Sequence, residues 1–179
     1  MKRFKPLLII LTVLAVVAGA CATVAVMGAA NTPPVKVVVT PTPTPTPQPA
    51  TKEELLRLVN EERAKVGVAP LVLDAKLEQS AQWKADDMVT YNYFDHVSPN
   101  DGKHGYEYIN DVGIYCRTDG ENITTDTGAG ITASATVSRW VDSKPHYAAM
   151  INPDNTLTGF GISIRSNGQL IAVEHFCEQ

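Results

Sequence analysis

The sequence predicts an α+β domain, with helices packed on a small antiparallel sheet that ends in a C-terminal β-hairpin. Three observations carry this expectation. Between Thr51 and Met150 the apolar residues recur at helical spacing. From Thr158 onward the period shortens to two, and Asn167-Gly168 stands between the last two alternating runs as a hairpin turn.

The elements follow in order. Thr51-Lys52-Glu53-Glu54 is a capping-box signature, with Glu54 three residues after Thr51. Leu55, Leu58, Val59, Glu62 and Val66 continue at helical spacing, and Gly67 is the stop. A second helix starts at Asp74, places Leu77, Ala81, Ala85 and Met88 on one face, and ends at the aromatic cluster Tyr91, Tyr93 and Phe94. Asp101-Gly102 marks a turn, and Tyr106 to Val112 is a short helix stopped by Gly113. Ile131 to Val141 reads as a helix rich in small residues. Pro145 then suits the first turn of another short helix carrying His146 and Met150. In the hairpin, Phe160, Ile162 and Ile164 alternate with Gly161, Ser163 and Arg165, and Leu170 to Cys177 forms the partner strand. Met88, Trp140, Met150 and Phe160 are the expected core.

Two segments precede this domain. Residues 1–30 combine a basic start, Lys2, Arg3 and Lys5, with an uncharged run from Leu7 to Ala30. As a helix that run spans ~36 Å, enough to cross a hydrocarbon core of ~30 Å with its basic flank in the cytoplasm. The same residues admit a retained signal anchor, a signal peptide cut after Gly28-Ala29-Ala30, or a lipoprotein signal cut before Cys21. All three put the remainder outside the cytoplasm, either anchored to the cell membrane or secreted. Residues 31–50 hold Pro33, Pro34 and an alternating Thr-Pro run, and predict an extended, semi-rigid linker. Residues 51–179 are then one domain, large enough for a real core.

All 19 acidic residues but only 11 of the 15 basic ones fall in that domain, a charge of −8. Such a surface excludes nucleic acid as a partner and disfavours anionic lipid. With Cys21 in the leader, Cys116 and Cys177 remain as a pair. In an oxidising compartment they predict a disulfide, the alternative being two buried free thiols.

Three polar anchors punctuate the last ninety residues: Phe94-Asp95-His96-Val97-Ser98-Pro99, Gly120-Glu121-Asn122, and Trp140-Val141-Asp142-Ser143-Lys144-Pro145-His146. Each is expected in a loop or turn, where sites are commonly carried. Two imidazoles and a carboxylate suit a divalent metal, proton transfer or a polar ligand.

Together with Leu58-Val59-Asn60, Arg63, Gly67, Pro70-Leu71, Asn152-Pro153 and Gly159-Phe160-Gly161, these motifs resemble the CAP superfamily. This is the SCP domain of cysteine-rich secretory, antigen 5 and pathogenesis-related proteins, here in its shorter bacterial form. The resemblance covers residues 54 to 177 and implies an α-β-α sandwich whose cleft gathers His96, Glu121 and His146. It also departs from the family. Ser143 stands where eukaryotic members carry a second cleft glutamate, and Glu107 is not a substitute for it. Ser143 is expected to cap the helix bearing His146. His104 and His175 are read as incidental, and Glu174 as a minor candidate for the cleft.

Three functional readings follow. The leading one is a non-enzymatic binding module for a small hydrophobic ligand or cell-envelope component. In it His96, Glu121, Ser143 and His146 form the cleft, with His96, His146 and Glu121 as ligands of Zn²⁺ or another divalent metal. The second is an envelope hydrolase of peptide, peptidoglycan or ester bonds, with Glu121 activating water beside the two histidines. A structural or adhesive surface domain is the third.

Overall fold

The computed structural model describes residues 49–179. The leader and nearly all of the linker lie outside the described residues, among which no helix is long and apolar enough to cross a membrane. Helix α1 spans Lys52–Lys65, strand β1 Val72–Leu73, α2 Ala75–Thr90, α3 Gly105–Asp111 and β2 Asp119–Asp126. A 3-10 turn at Gly128–Gly130 leads to α4 Ala133–Asp142 and α5 Lys144–Met150, then to the hairpin of β3 Leu157–Ile164 and β4 Leu170–Cys177.

Local signals explain these bounds. Thr51 accepts from the Glu54 amide and Asp74 from the amides of Lys76 and Leu77, so both long helices begin on side-chain caps. Gly113 ends α3 at φ +75°, a left-handed conformation that disfavours any side chain. Helix α4 starts two residues later than the spacing predicts, because the Thr132 hydroxyl accepts from the Ala135 amide.

The four strands run in the order β1-β3-β4-β2. β4 pairs antiparallel with both β2 and β3, whereas the two-residue β1 joins β3 in parallel, so the sheet is mixed rather than purely antiparallel. Every residue of β4 is buried, because helices cover both of its faces. Leu170, Ala172 and Phe176 pack with Phe160 against Leu55, Val59, Trp140 and Met150, on the side of α1, α4 and α5. Ile171 and Val173 face Ala81, Ala85 and Met88 of α2 instead, and Cys177 packs with Leu77 and Ile109. This is the expected α-β-α sandwich, and the four predicted core residues are each 0% exposed.

Two constraints hold the layers in place. A Cβ on Gly161 would lie 2.1 Å from the Ala81 carbonyl oxygen, so the bare glycine lets α2 rest directly on β3. Across the other layer the buried Arg63 guanidinium donates to the carbonyls of Ala69, Met150, Asn152 and Asn155, tying α1 to the turn after α5. Cys116 and Cys177 form a disulfide that ties the segment before β2 to the end of β4.

Candidate functional site

Gly120-Glu121-Asn122 does not form a turn. It opens the eight-residue edge strand β2, and the strand's alternation sends Glu121 and Asn122 to opposite faces of the sheet.

On the α2 face the Glu121 carboxylate, with its side chain 7% exposed, is held between two imidazoles. His96 Nδ1 lies 2.7 Å from Oε1 and His175 Nε2 lies 3.0 Å from Oε2. The far side of the His175 ring meets Ser80 Oγ at 2.8 Å, and that hydroxyl also donates to the Leu77 carbonyl. Gly105 leaves room for the carboxylate, since a Cβ there would stand 2.8 Å from Oε2. His96 comes from the loop after α2, whose backbone is anchored from beneath: the buried Lys84 ammonium donates to the His96 carbonyl and to Tyr93 Oη, each at 3.0 Å. Lys84 also lies over the Tyr93 and Tyr108 rings.

Electrostatics follow from these contacts. Burial pushes the Glu121 carboxyl up, but hydrogen bonds from His175 and His96, aided by the charges of His175 and Lys84, outweigh it and hold the pKa at about 2. The bond to Glu121 raises His96. Burial lowers Lys84.

On the opposite face the buried Asn122 amide donates to the His146 carbonyl at 3.1 Å and to Glu174 Oε2 at 3.5 Å. Glu174 also accepts from Thr158 Oγ1, and burial raises its carboxyl to about 8. The His146 ring makes no hydrogen bond among the described residues. Burial lowers its pKa, and the charge of His96 lowers it further. His146 and Ser143 line a groove of about 450 Å³ with Trp140, Phe94 and the β2 residues Ile123 to Thr125.

The four predicted cleft residues are therefore divided across β2. His96 meets Glu121 directly, whereas Ser143 and His146 line the groove beyond. Ser143 occupies the N-cap position of α5, but its side chain makes no capping bond. Glu107 caps α3 by accepting from the His104 amide and takes no part in the site. His175 is not incidental: it is fully buried and shares the Glu121 carboxylate. Its signal was its place in line with Ile171, Val173 and Cys177, a histidine on the buried face of a strand. Lys84 was also missed, although it interrupts the apolar stripe of Ala81, Ala85 and Met88.

Two chemistries can be judged on these contacts. Ser80, His175 and Glu121 have the connectivity of a nucleophile-base-acid relay, but Ser80 is 0% exposed and no substrate reaches it. Both Glu121 oxygens lie against histidine rings, Oε1 at 2.7 Å from His96 Nδ1 and Oε2 at 3.0 Å from His175 Nε2. Among the described residues no group of three His, Cys, Asp or Glu side chains is arranged to hold a metal ion. Through its Oε1, Glu121 orients the His96 ring.

Fold and site together define a small secretory-type sandwich domain with a histidine-framed cleft. The chain belongs to the CAP family: the family model described as the cysteine-rich secretory protein family matches residues 56–177. It is 37% identical over 112 residues to YkwD of Bacillus subtilis and 31% identical over 112 residues to the membrane protein YlbC of the same organism. Each alignment takes in 63% of this chain, but only 42% of YkwD and 31% of YlbC, so the chain spans less than half of either relative. Among solved structures, an outer surface protein of Borrelia burgdorferi matches with a TM-score of 0.63 at 22% identity, over 75% of this chain and 99% of that one. An extracellular SCP-domain protein of Bacillus anthracis matches with a TM-score of 0.62 at 22% identity, over 72% of this chain and 40% of that one.

Proposed function

We propose that this chain is an extracytoplasmic, membrane-tethered binding module that takes a small hydrophobic ligand or an envelope partner into the groove beside His146, and that it is not an enzyme. The state of Glu121 carries this reading. A carboxylate held at about 2 and bonded through both oxygens is a poor general base near neutral pH, where proton transfer favours a group that titrates near the working pH. The second buried acid, Glu174, is 0% exposed and cannot reach a substrate. What the cleft offers instead is a concave surface with the exposed Phe94 on one side, buried Ile123 and Trp140 behind it, and polar groups from Arg139, Asp142, Ser143 and His146. The outside location is supported by the basic, uncharged-run leader, by the disulfide, and by likeness to the extracellular protein of B. anthracis.

The test is a titration of the full chain, in mild detergent, with a fluorescent fatty-acid probe. Saturable binding that weakens in Phe94→Ala is expected. No saturable binding, or hydrolysis of casein or peptidoglycan fragments that disappears in Glu121→Gln, overturns the proposal in favour of a hydrolase or an inert scaffold.

A further inference from the structure

We infer that the groove receives an extended peptide, which adds a strand to the free edge of β2. The inference rests on the binding-module reading and names the class of partner.

β2 pairs with β4 alone and closes the sheet on that side. At eight residues it is a long edge, whereas the opposite edge is the two-residue β1. Proteins commonly blunt such an edge with proline, lysine or a bulge, yet the stretch from Ile123 to Thr125 has none of these. The hydrogen bonds at the end of β4 fix which groups are open. The Cys177 carbonyl accepts from Thr156 on the β3 side, and the Glu178 amide donates to Thr118 on the β2 side. Even-numbered residues of β4 therefore face β2, and the partners Asn122 and Thr124 point inward. The amides and carbonyls of Ile123 and Thr125 point outward, and they have no hydrogen-bond partner among the described residues.

The groove lies along these residues. Its walls come from both layers of the sandwich: Phe94, 43% exposed, from the His96 loop, and Ser143 with His146 at the start of α5. An extended chain satisfies the outward main-chain groups and places its alternate side chains toward the two walls. A compact apolar ligand fills the volume but leaves those groups unpaired. At ~3.3 Å per residue, about three residues of peptide match the open stretch.

The full chain in mild detergent is panned against a phage-displayed random decapeptide library, and the best binder is resynthesised with N-methyl groups on one or the other set of alternate residues. Affinity should fall about tenfold or more for one set and stay nearly unchanged for the other, because only alternate amides of a paired strand face β2. Thr125→Pro removes an outward amide without removing a rung to β4, and it should weaken the unmodified peptide to a similar extent. Failure to enrich any peptide, indifference to which set is methylated, or unchanged binding by a folded Thr125→Pro chain overturns the inference. If that variant does not fold, the methylation result decides alone. Peptide failure with retained binding of the fluorescent fatty acid refutes the strand addition and leaves the module reading standing. Loss of both refutes both.

Discussion

Replacing Glu121 with glutamine tests the centre of the site in a single step. A carboxylate accepts from His96 and His175 at once, whereas the amide has one acceptor oxygen and turns its NH₂ toward the other ring. The carboxyl titrates at about 2 in the fold against an ordinary 4.5. At ~1.4 kcal/mol per unit, that displacement is worth about 3 kcal/mol of stability. The sign follows from the depressed pKa: the contribution is complete above about pH 5 and is lost as the pH falls through 4.5 toward 2. Urea unfolding of the wild type and Glu121→Gln should therefore differ by about 3 kcal/mol at pH 7 and by only about 1 kcal/mol at pH 3. Nuclear magnetic resonance titration of the His96 ring should also show its raised pKa falling back in the variant. A difference below about 1 kcal/mol at pH 7, or an equal difference at both pH values, would refute the account of Glu121 as a carboxylate locked between two imidazoles.

Three further outcomes follow from other contacts. Gly161→Ala drives a Cβ into the backbone of α2 and should cost about 3 kcal/mol in thermal or urea unfolding, whereas Gly168→Ala, strained in its turn at φ +81° but facing open space, should cost about 1 kcal/mol. Equal costs would mean that α2 is free to move away from β3. Removing the disulfide as Cys116→Ser/Cys177→Ser releases a sequence separation of 61 residues and should lower stability by about 4 kcal/mol; a loss below about 1 kcal/mol in urea contradicts a bridge that constrains the unfolded chain. Calorimetric titration of Zn²⁺ should give the same heats for the wild type and His96→Ala/His146→Ala, since the Glu121 oxygens are occupied. A tight one-to-one isotherm lost in the double variant would instead place a metal at these residues.

Much of the fold was legible because it rests on local rules. The caps at Thr51 and Asp74, the left-handed glycine at Gly113 and the Asn167-Gly168 turn each act within a few residues, so sequence spacing reveals them. Strand β2 was hidden by its own composition. Asp119, Gly120 and Asn122 favour turns, and only Ile123 stands out as apolar, so the period-two signal is weak. Its pairing with β4, roughly fifty residues away in sequence, supplies what local propensity does not. The same nonlocal pairing explains the two missed residues. His175 and Lys84 look misplaced on apolar faces until Glu121, Ser80, Tyr93 and the His96 carbonyl are brought beside them.

By itself, the sequence determined the α+β class, the helices and the closing hairpin, the even cysteine pair that admits a disulfide, and the acidic charge of the domain. Periodicity, caps, charge and cysteine parity are properties of the chain that survive without coordinates. Only the tertiary structure decided what each polar residue does. Glu121 and Asn122 are neighbours in sequence, yet the pleat of β2 sends one to orient His96 and the other to hold the backbone of His146. That separation leaves a buried carboxylate on the α2 face and a groove that runs along the edge of β2, lined from both layers.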